Sequence, residues 1–169
     1  MTAGDNIIVN HDITHNASSI SSLSLNGSNV YVNADISATA GNLNVNITSD
    51  ASSGYTALEG DITTNGGTVS LNGALTSFQA TSNQTVNTSI SENTGGKITF
   101  NNPVQLSISN NGAGGSLTIN SGGGEIDINS TLTTGSSVTR MTSLSSPYLE
   151  NYSSGDIVSN WQSTRPHRD

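Results

Sequence analysis

Residues 7–13 read Ile7-Ile8-Val9-Asn10-His11-Asp12-Ile13, and residues 30–36 read Val30-Tyr31-Val32-Asn33-Ala34-Asp35-Ile36. The two heptads align at an offset of 30 − 7 = 23 residues. Both keep the frame apolar-x-apolar-Asn-x-Asp-Ile, whose apolar side chains two residues apart fit a strand with one buried face. A repeat of this length marks a solenoid, whose coils share one continuous core. Weaker copies follow at Ala57-Leu58-Glu59-Gly60-Asp61-Ile62, Ile98-Thr99-Phe100-Asn101-Asn102-Pro103-Val104 and Ile126-Asp127-Ile128-Asn129-Ser130-Thr131-Leu132. A second strand type runs through Leu23-Ser24-Leu25, Leu43-Asn44-Val45-Asn46-Ile47, Val69-Ser70-Leu71, Leu106-Ser107-Ile108 and Leu117-Thr118-Ile119. Glycine pairs and runs punctuate the strands at Gly66-Gly67, Gly95-Gly96, Gly112 to Gly115 and Gly122 to Gly124.

Hairpins could also use short alternating strands. The copies, however, recur in parallel order, so the fold expected is a parallel β-helix in which each strand pairs with its counterpart one coil along. Asn10, Asn33, Asn101 and Asn129 follow strands, and two readings stay open for them. They stack as side-chain amide ladders, or Asn simply tolerates the turn. Between Leu75 and Lys97 the spacing is irregular. Phe78, Val86 and Ile90 are candidates to point inward there, and loops are expected at Thr81 to Asn93 and Thr48 to Tyr55.

Composition supports this reading. Of 169 residues, 31% are hydrophobic and 9% charged, against about 45–50% and 25% in ordinary domains. Disorder would come with more charge and proline than the 3 prolines here. The fold class is therefore all-β: a β-helix solenoid over residues 1–138 with irregular coils of about 20–28 residues. A non-repeat tail over 139–169 serves as a cap or is partly disordered. The net charge is −8, and the only basic side chains are Lys97, Arg140, Arg165 and Arg168. Nucleic acid is therefore not an expected partner. There is no cysteine. Met1-Thr2-Ala3-Gly4-Asp5 has no basic and apolar leader pattern. The chain is then either intracellular or an interior piece of a longer secreted protein, and the repeats favour the second.

The runs Asp5-Asn6-Ile7-Ile8-Val9-Asn10-His11-Asp12-Ile13, Gly60-Asp61-Ile62-Thr63-Thr64-Asn65-Gly66-Gly67-Thr68-Val69-Ser70-Leu71 and Gly123-Gly124-Glu125-Ile126-Asp127-Ile128-Asn129 resemble filamentous haemagglutinin-type exoproteins. These are the large adhesins of bacterial two-partner secretion systems, high-molecular-weight adhesins among them. The resemblance covers roughly residues 4–135. It implies a right-handed β-helix, export through an outer-membrane partner transporter, and attachment to a host-cell or bacterial surface receptor or glycan. It departs from the family in lacking the secretion domain's Asn-Pro-Asn-Leu type motif, Asn102-Pro103 standing alone. It implies no catalytic residue, cofactor or metal, and none is assigned.

Possible chemistry is sparse. His11 and His15 are spaced for one metal on a helix, but along a strand four residues span about 13 Å. Gly122-Gly123-Gly124-Glu125-Ile126-Asp127 resembles a calcium-binding nonapeptide, with Glu125 where Gly is required and only one copy. Asp12, Asp35 and Asp61 are expected to stack at a solvated corner rather than around a cation. Asn-x-Ser/Thr sequons at Asn16, Asn26, Asn46, Asn83, Asn87, Asn129 and Asn151 are read as chance in so Asn-rich a chain. Tyr148, Tyr152 and Trp161 form a capping cluster or a sugar-stacking platform. Lys97 has no evident partner and the acids look scattered, which disfavours a polysaccharide lyase or hydrolase. An ice-binding solenoid would need a regular Thr-x-Thr column, which is not seen. The function expected is that of a non-enzymatic structural or adhesive repeat segment of a secreted or cell-surface exoprotein.

Overall fold

The structure, a computed structural model, describes residues 4–79, 81–91, 94–107, 116–134, 140–145 and 148–150, the backbone alone from 134 onward. It is all-β, with no helix among the described residues. Three parallel six-stranded sheets form the faces of a solenoid, and each coil contributes one strand to each face.

The first coil holds β1 (Ile7–Val9), β2 (Ile13–His15) and β3 (Ser21–Asn26), and the second β4 (Val30–Val32), β5 (Ile36–Ala38) and β6 (Leu43–Thr48). The third holds β7 (Tyr55–Leu58), β8 (Ile62–Thr63) and β9 (Val69–Asn72). The fourth holds β10 (Leu75–Phe78), β11 (Gln84–Asn87), β12 (Ser89–Ser91), β13 (Thr94–Gly95) and β14 (Ile98–Phe100). The fifth holds β15 (Val104–Leu106), β16 (Ser116–Asn120) and β17 (Glu125–Ile128). A sixth adds β18 (Leu132–Thr134), β19 (Arg140–Ser145) and β20 (Tyr148–Glu150). The pairing thus runs on through Glu150, beyond the boundary drawn at 138.

Register turns the alternation into columns. On the first face Val9, Val32, Leu58, Phe78 and Leu106 lie in line. On the second, the column is Ile13, Ile36, Ile62, Val86 and Ile119. On the third, Leu25, Ile47, Leu71, Phe100 and Ile128 stack. All but Ile13 are buried, each aliphatic side chain contributing about 1.5–3 kcal/mol of transfer free energy. The fourth coil is filled differently. It carries both phenylalanines of the chain, Phe78 and Phe100, edge to face at 6.1 Å, at the level where the other inward position of the first face is the small, polar Thr76.

Coil length varies while the columns do not. Along the first face the register steps from 7 to 30, 56, 76, 104 and 132, giving coils of 23, 26, 20, 28 and 28 residues. The differences fall at the corners. The second coil lengthens at Ser49–Gly54, where the Asp50 carboxylate accepts bonds from the Ser52 amide and hydroxyl and the Ser53 amide. The Ser52 hydroxyl bond leads in holding Asp50 below the ordinary carboxylate range, with the two amides adding to it.

The fourth coil lengthens by a hairpin at the corner between its second and third faces. There, the Thr64 hydroxyl bonds the carbonyl of Gly67 at 2.6 Å, and the Ser121 hydroxyl that of Gly124 at 2.7 Å, each three residues on. Thr88 makes the same 2.6 Å bond to Gly96, eight residues on, with antiparallel β12 and β13 between. Gly67, Gly96 and Gly124 stack because successive backbones nearly touch: a Cβ on Gly96 would lie 2.1 Å from the Gly67 carbonyl oxygen. The loop expected at Thr81 to Asn93 is thus a strand, β11, followed by this hairpin. Phe78 and Val86 point inward as expected, whereas Ile90 lies on the hairpin, 54% exposed, against the Gly66 turn.

Two repeat alignments are corrected. Ile98–Phe100 and Ile126–Ile128 belong to the third face, not the first, and Leu106 and Leu117 to the first and second, not the third. All three faces obey the same alternation, so pattern alone does not separate them.

Candidate functional site

The outer surface is built from the residues between the inward columns. On the second and third faces these are mostly Ser, Thr and Asn, as in the line Thr14, Ser37, Thr63, Asn87 and Asn120. Amide ladders tie the coils together there. Asn72 donates to Asn46 at 3.0 Å, Asn101 to Asn72 at 2.8 Å and Asn129 to Asn101 at 2.8 Å. Asn33 donates to Asn10 at 2.9 Å in a separate ladder at another corner. Asn10, Asn33, Asn101 and Asn129 therefore do stack as ladders, but in two columns rather than one.

Asp12, Asp35 and Asp61 do stack on successive coils. Each carboxylate accepts the backbone N–H of its register partner on the next coil: Asp35, Asp61 and Thr85, at 3.1, 2.8 and 2.8 Å. Asn29, Asn44 and Asn83 do the same for Tyr55, Thr68 and Ser116. An Asp or Asn just before a strand, or at its second residue as at Asn44, thus extends the ladder by one acceptor, a role the sequence reading missed. Burial pushes the Asp61 carboxyl up, the Thr85 bond opposes this, and the Asp35 charge adds to it. No group of three metal-ligating side chains converges among the described residues. His15 faces the Ser19 carbonyl at 3.0 Å, and His11 is exposed.

Lys97 has partners, contrary to expectation. Its ammonium lies 2.8 Å from Glu125 and 2.5 Å from Asp127, one coil along on the third face. Hydrogen bonds to Asp127 first and Glu125 second raise the Lys97 pKa above its ordinary value. The calcium-like Gly122–Asp127 stretch therefore forms a turn and an ion-pair strand. Of the sequons, Asn46 and Asn129 are held in the amide ladder, Asn83 caps Ser116 and Asn16 is exposed. Asn151 lies outside the described residues.

The first face differs from the other two. Its outward line is Ile8, Tyr31, Ala57, Ser77 and Gln105, with Tyr55 and Leu75 alongside. Ile8 is 58% exposed, yet Ala57 and Ser77 are buried although they point outward. The cover comes from their neighbours. Tyr55 precedes Ala57 by two residues, Gln79 follows Ser77 by two, and the Gln79 amide donates to the Tyr55 hydroxyl. That bond requires the two side chains to reach toward each other along the sheet, over Ala57 and Ser77. Tyr31 packs beside Tyr55, ring centroids 6.4 Å apart and planes tilted by 60°. Asn29, which donates to Asn6 at 2.8 Å, anchors the Tyr55 backbone N–H at 3.0 Å. The Ser77 hydroxyl beneath has no hydrogen-bond partner.

This half-buried aromatic and amide cluster is the most differentiated side-chain group on the described surface. The sequence reading passed over it; its one signal was Tyr31 at the polar position of Val30-Tyr31-Val32. Tyr148, Tyr152 and Trp161, read as a capping cluster or a sugar-stacking platform, fall outside the described side chains. Comparison with known proteins finds no matching family model, no matching curated protein and no matching solved structure.

Proposed function

We propose that the chain is a structural and adhesive repeat segment of a large bacterial surface or secreted exoprotein, carrying an attachment surface away from its anchor. The observation behind the reading is the parallel register that carries the inward columns through the first five coils, under outer second and third faces built mostly of Ser, Thr and Asn. The first five coils are each stapled to the next by backbone ladders and side-chain amides, which suits a stiff spacer. The outward residues are mostly short and polar on the second and third faces, and the first carries Tyr31 and Tyr55, which suits a surface that touches a partner rather than transforms it. The resemblance of Gly60–Leu71 and Gly123–Asn129 to haemagglutinin-type repeats points the same way. On this reading, the parent protein leaves the cell through an outer-membrane partner transporter and meets a receptor or glycan on a host or bacterial cell. Beads coated with the purified chain should adhere to epithelial cells or to partner bacteria above albumin-coated beads. Adhesion equal to the albumin control on both would remove the adhesive role.

A further inference from the structure

The Tyr31–Tyr55 cluster has features that a spacer does not need. An outward aromatic ring exposes apolar surface without contributing to the inner core. The closed arrangement also leaves a fully buried hydroxyl, Ser77, without a partner. Such a group is costly to bury unsatisfied. A ligand hydroxyl reaching Ser77 after the Tyr55–Gln79 contact opens would supply the missing bond.

The chemistry around the cluster narrows the ligand. Two tilted rings give faces against which the C–H side of a sugar packs. The Gln79 and Asn29 amides offer donors and acceptors at the rim. Charge decides among sugars. Lys97 is the one Lys or Arg whose side chain is described, and it is bound to Glu125 and Asp127 on the third face. Glu59, in line with Gln79 one coil before, is exposed beside the cluster. With a net charge of −8 besides, a sialylated or sulfated glycan would meet no described cation on this face and would be repelled.

We propose that Tyr31, Tyr55, Gln79 and Ser77 form a binding site for a neutral pyranose unit of a glycan, the rings stacking on the sugar and Ser77 bonding one of its hydroxyls. This inference deepens the adhesive reading and names its ligand class.

The test uses the full chain on an immobilised panel of neutral oligosaccharides ending in galactose, glucose, mannose, fucose or N-acetylglucosamine, with sialylated and sulfated counterparts alongside. Saturable binding to at least one neutral member is expected. Tyr31→Ala and Tyr55→Ala should each weaken it about five- to tenfold with unchanged circular dichroism. Tyr55→Phe keeps the ring and should stay within about threefold. If Tyr55→Ala unfolds the chain, Tyr31→Ala alone carries the test. Absence of binding to every neutral glycan, binding confined to the anionic ones, or undiminished binding by Tyr31→Ala would each overturn the site. The bead assay separates the two readings: coated beads that adhere while the glycan panel stays silent would leave the adhesive role standing and this site refuted.

Discussion

The third and fourth coils make the same three strands from different amounts of chain. From Thr56 to Thr76 the register advances 20 residues, and from Thr76 to Val104 it advances 28. The third coil turns its second corner with Thr64-Asn65-Gly66-Gly67, where Asn65 and Gly66 both take positive φ. The fourth turns it with the same hydroxyl-to-carbonyl bond, but holds a hairpin between Thr88 and Gly96. The inward columns pass through both coils without a shift. Length is therefore free at the corners and fixed on the faces, because each face must present its apolar residues in register with two neighbours, whereas a corner need only return the chain.

The largest effect should come from the fixed part. Phe100→Ala removes one of the two rings that fill the fourth coil and should cost about 3–5 kcal/mol in urea unfolding. A loss below about 1 kcal/mol would mean that this level of the core is loosely packed and the contrast between face and corner is false.

Next comes the point where the corner touches the fixed part. Gly96→Ala places a methyl 2.1 Å from the Gly67 carbonyl oxygen and should cost about 1–3 kcal/mol. Gly4→Ala meets nothing within 4 Å and serves as the control, with thermal melts as the readout.

The hairpin itself should matter less. Replacing Ser89–Gly95 by Asn-Gly recreates the corner of the third coil, and stability should change by no more than about 1 kcal/mol. A larger loss would make the hairpin, and Ile90 against the Gly66 turn, part of the fold rather than an insertion.

The smallest effect concerns the Asp column at the first corner. Burial holds the Asp61 carboxyl above its ordinary value of 3.8. A raised carboxyl destabilises the fold while it is charged, and the penalty is relieved as pH falls through the raised value toward the ordinary one. Asp61→Asn keeps an acceptor for the Thr85 amide and removes the charge beside Asp35. It should stabilise the chain by about 0.3 kcal/mol near neutral pH, with the gain vanishing at about pH 3. Denaturation at the two pH values checks the sign, and a gain that persists in acid would assign the effect to something other than charge.

Much of this was legible in the chain. Ile7-Ile8-Val9 and Val30-Tyr31-Val32 were read as paired strands and are so, residue for residue. The inward positions of Leu23 to Leu25, Leu43 to Ile47 and Val69 to Leu71 followed from alternation. Lys97 was misread because Glu125 is its neighbour only across a 28-residue coil, a spacing set by corner lengths. The Tyr31, Tyr55 and Gln79 cluster was missed for a related reason. Its members lie on three coils and meet on the outside, where the alternation rule asks only that a residue not be needed in the core.

The sequence by itself determined that this is a parallel β-solenoid, with coils of about 20–28 residues and Ile, Val and Leu inward. Local alternation and its recurrence suffice for that, since a strand's buried side is written in adjacent residues. Only the tertiary structure decided which face each strand joins, which coils carry extra chain at their corners, and which distant side chains meet outside. Those depend on how far each corner lets the chain travel before it pairs again, and the three faces, buried alike, leave no mark of it in the pattern.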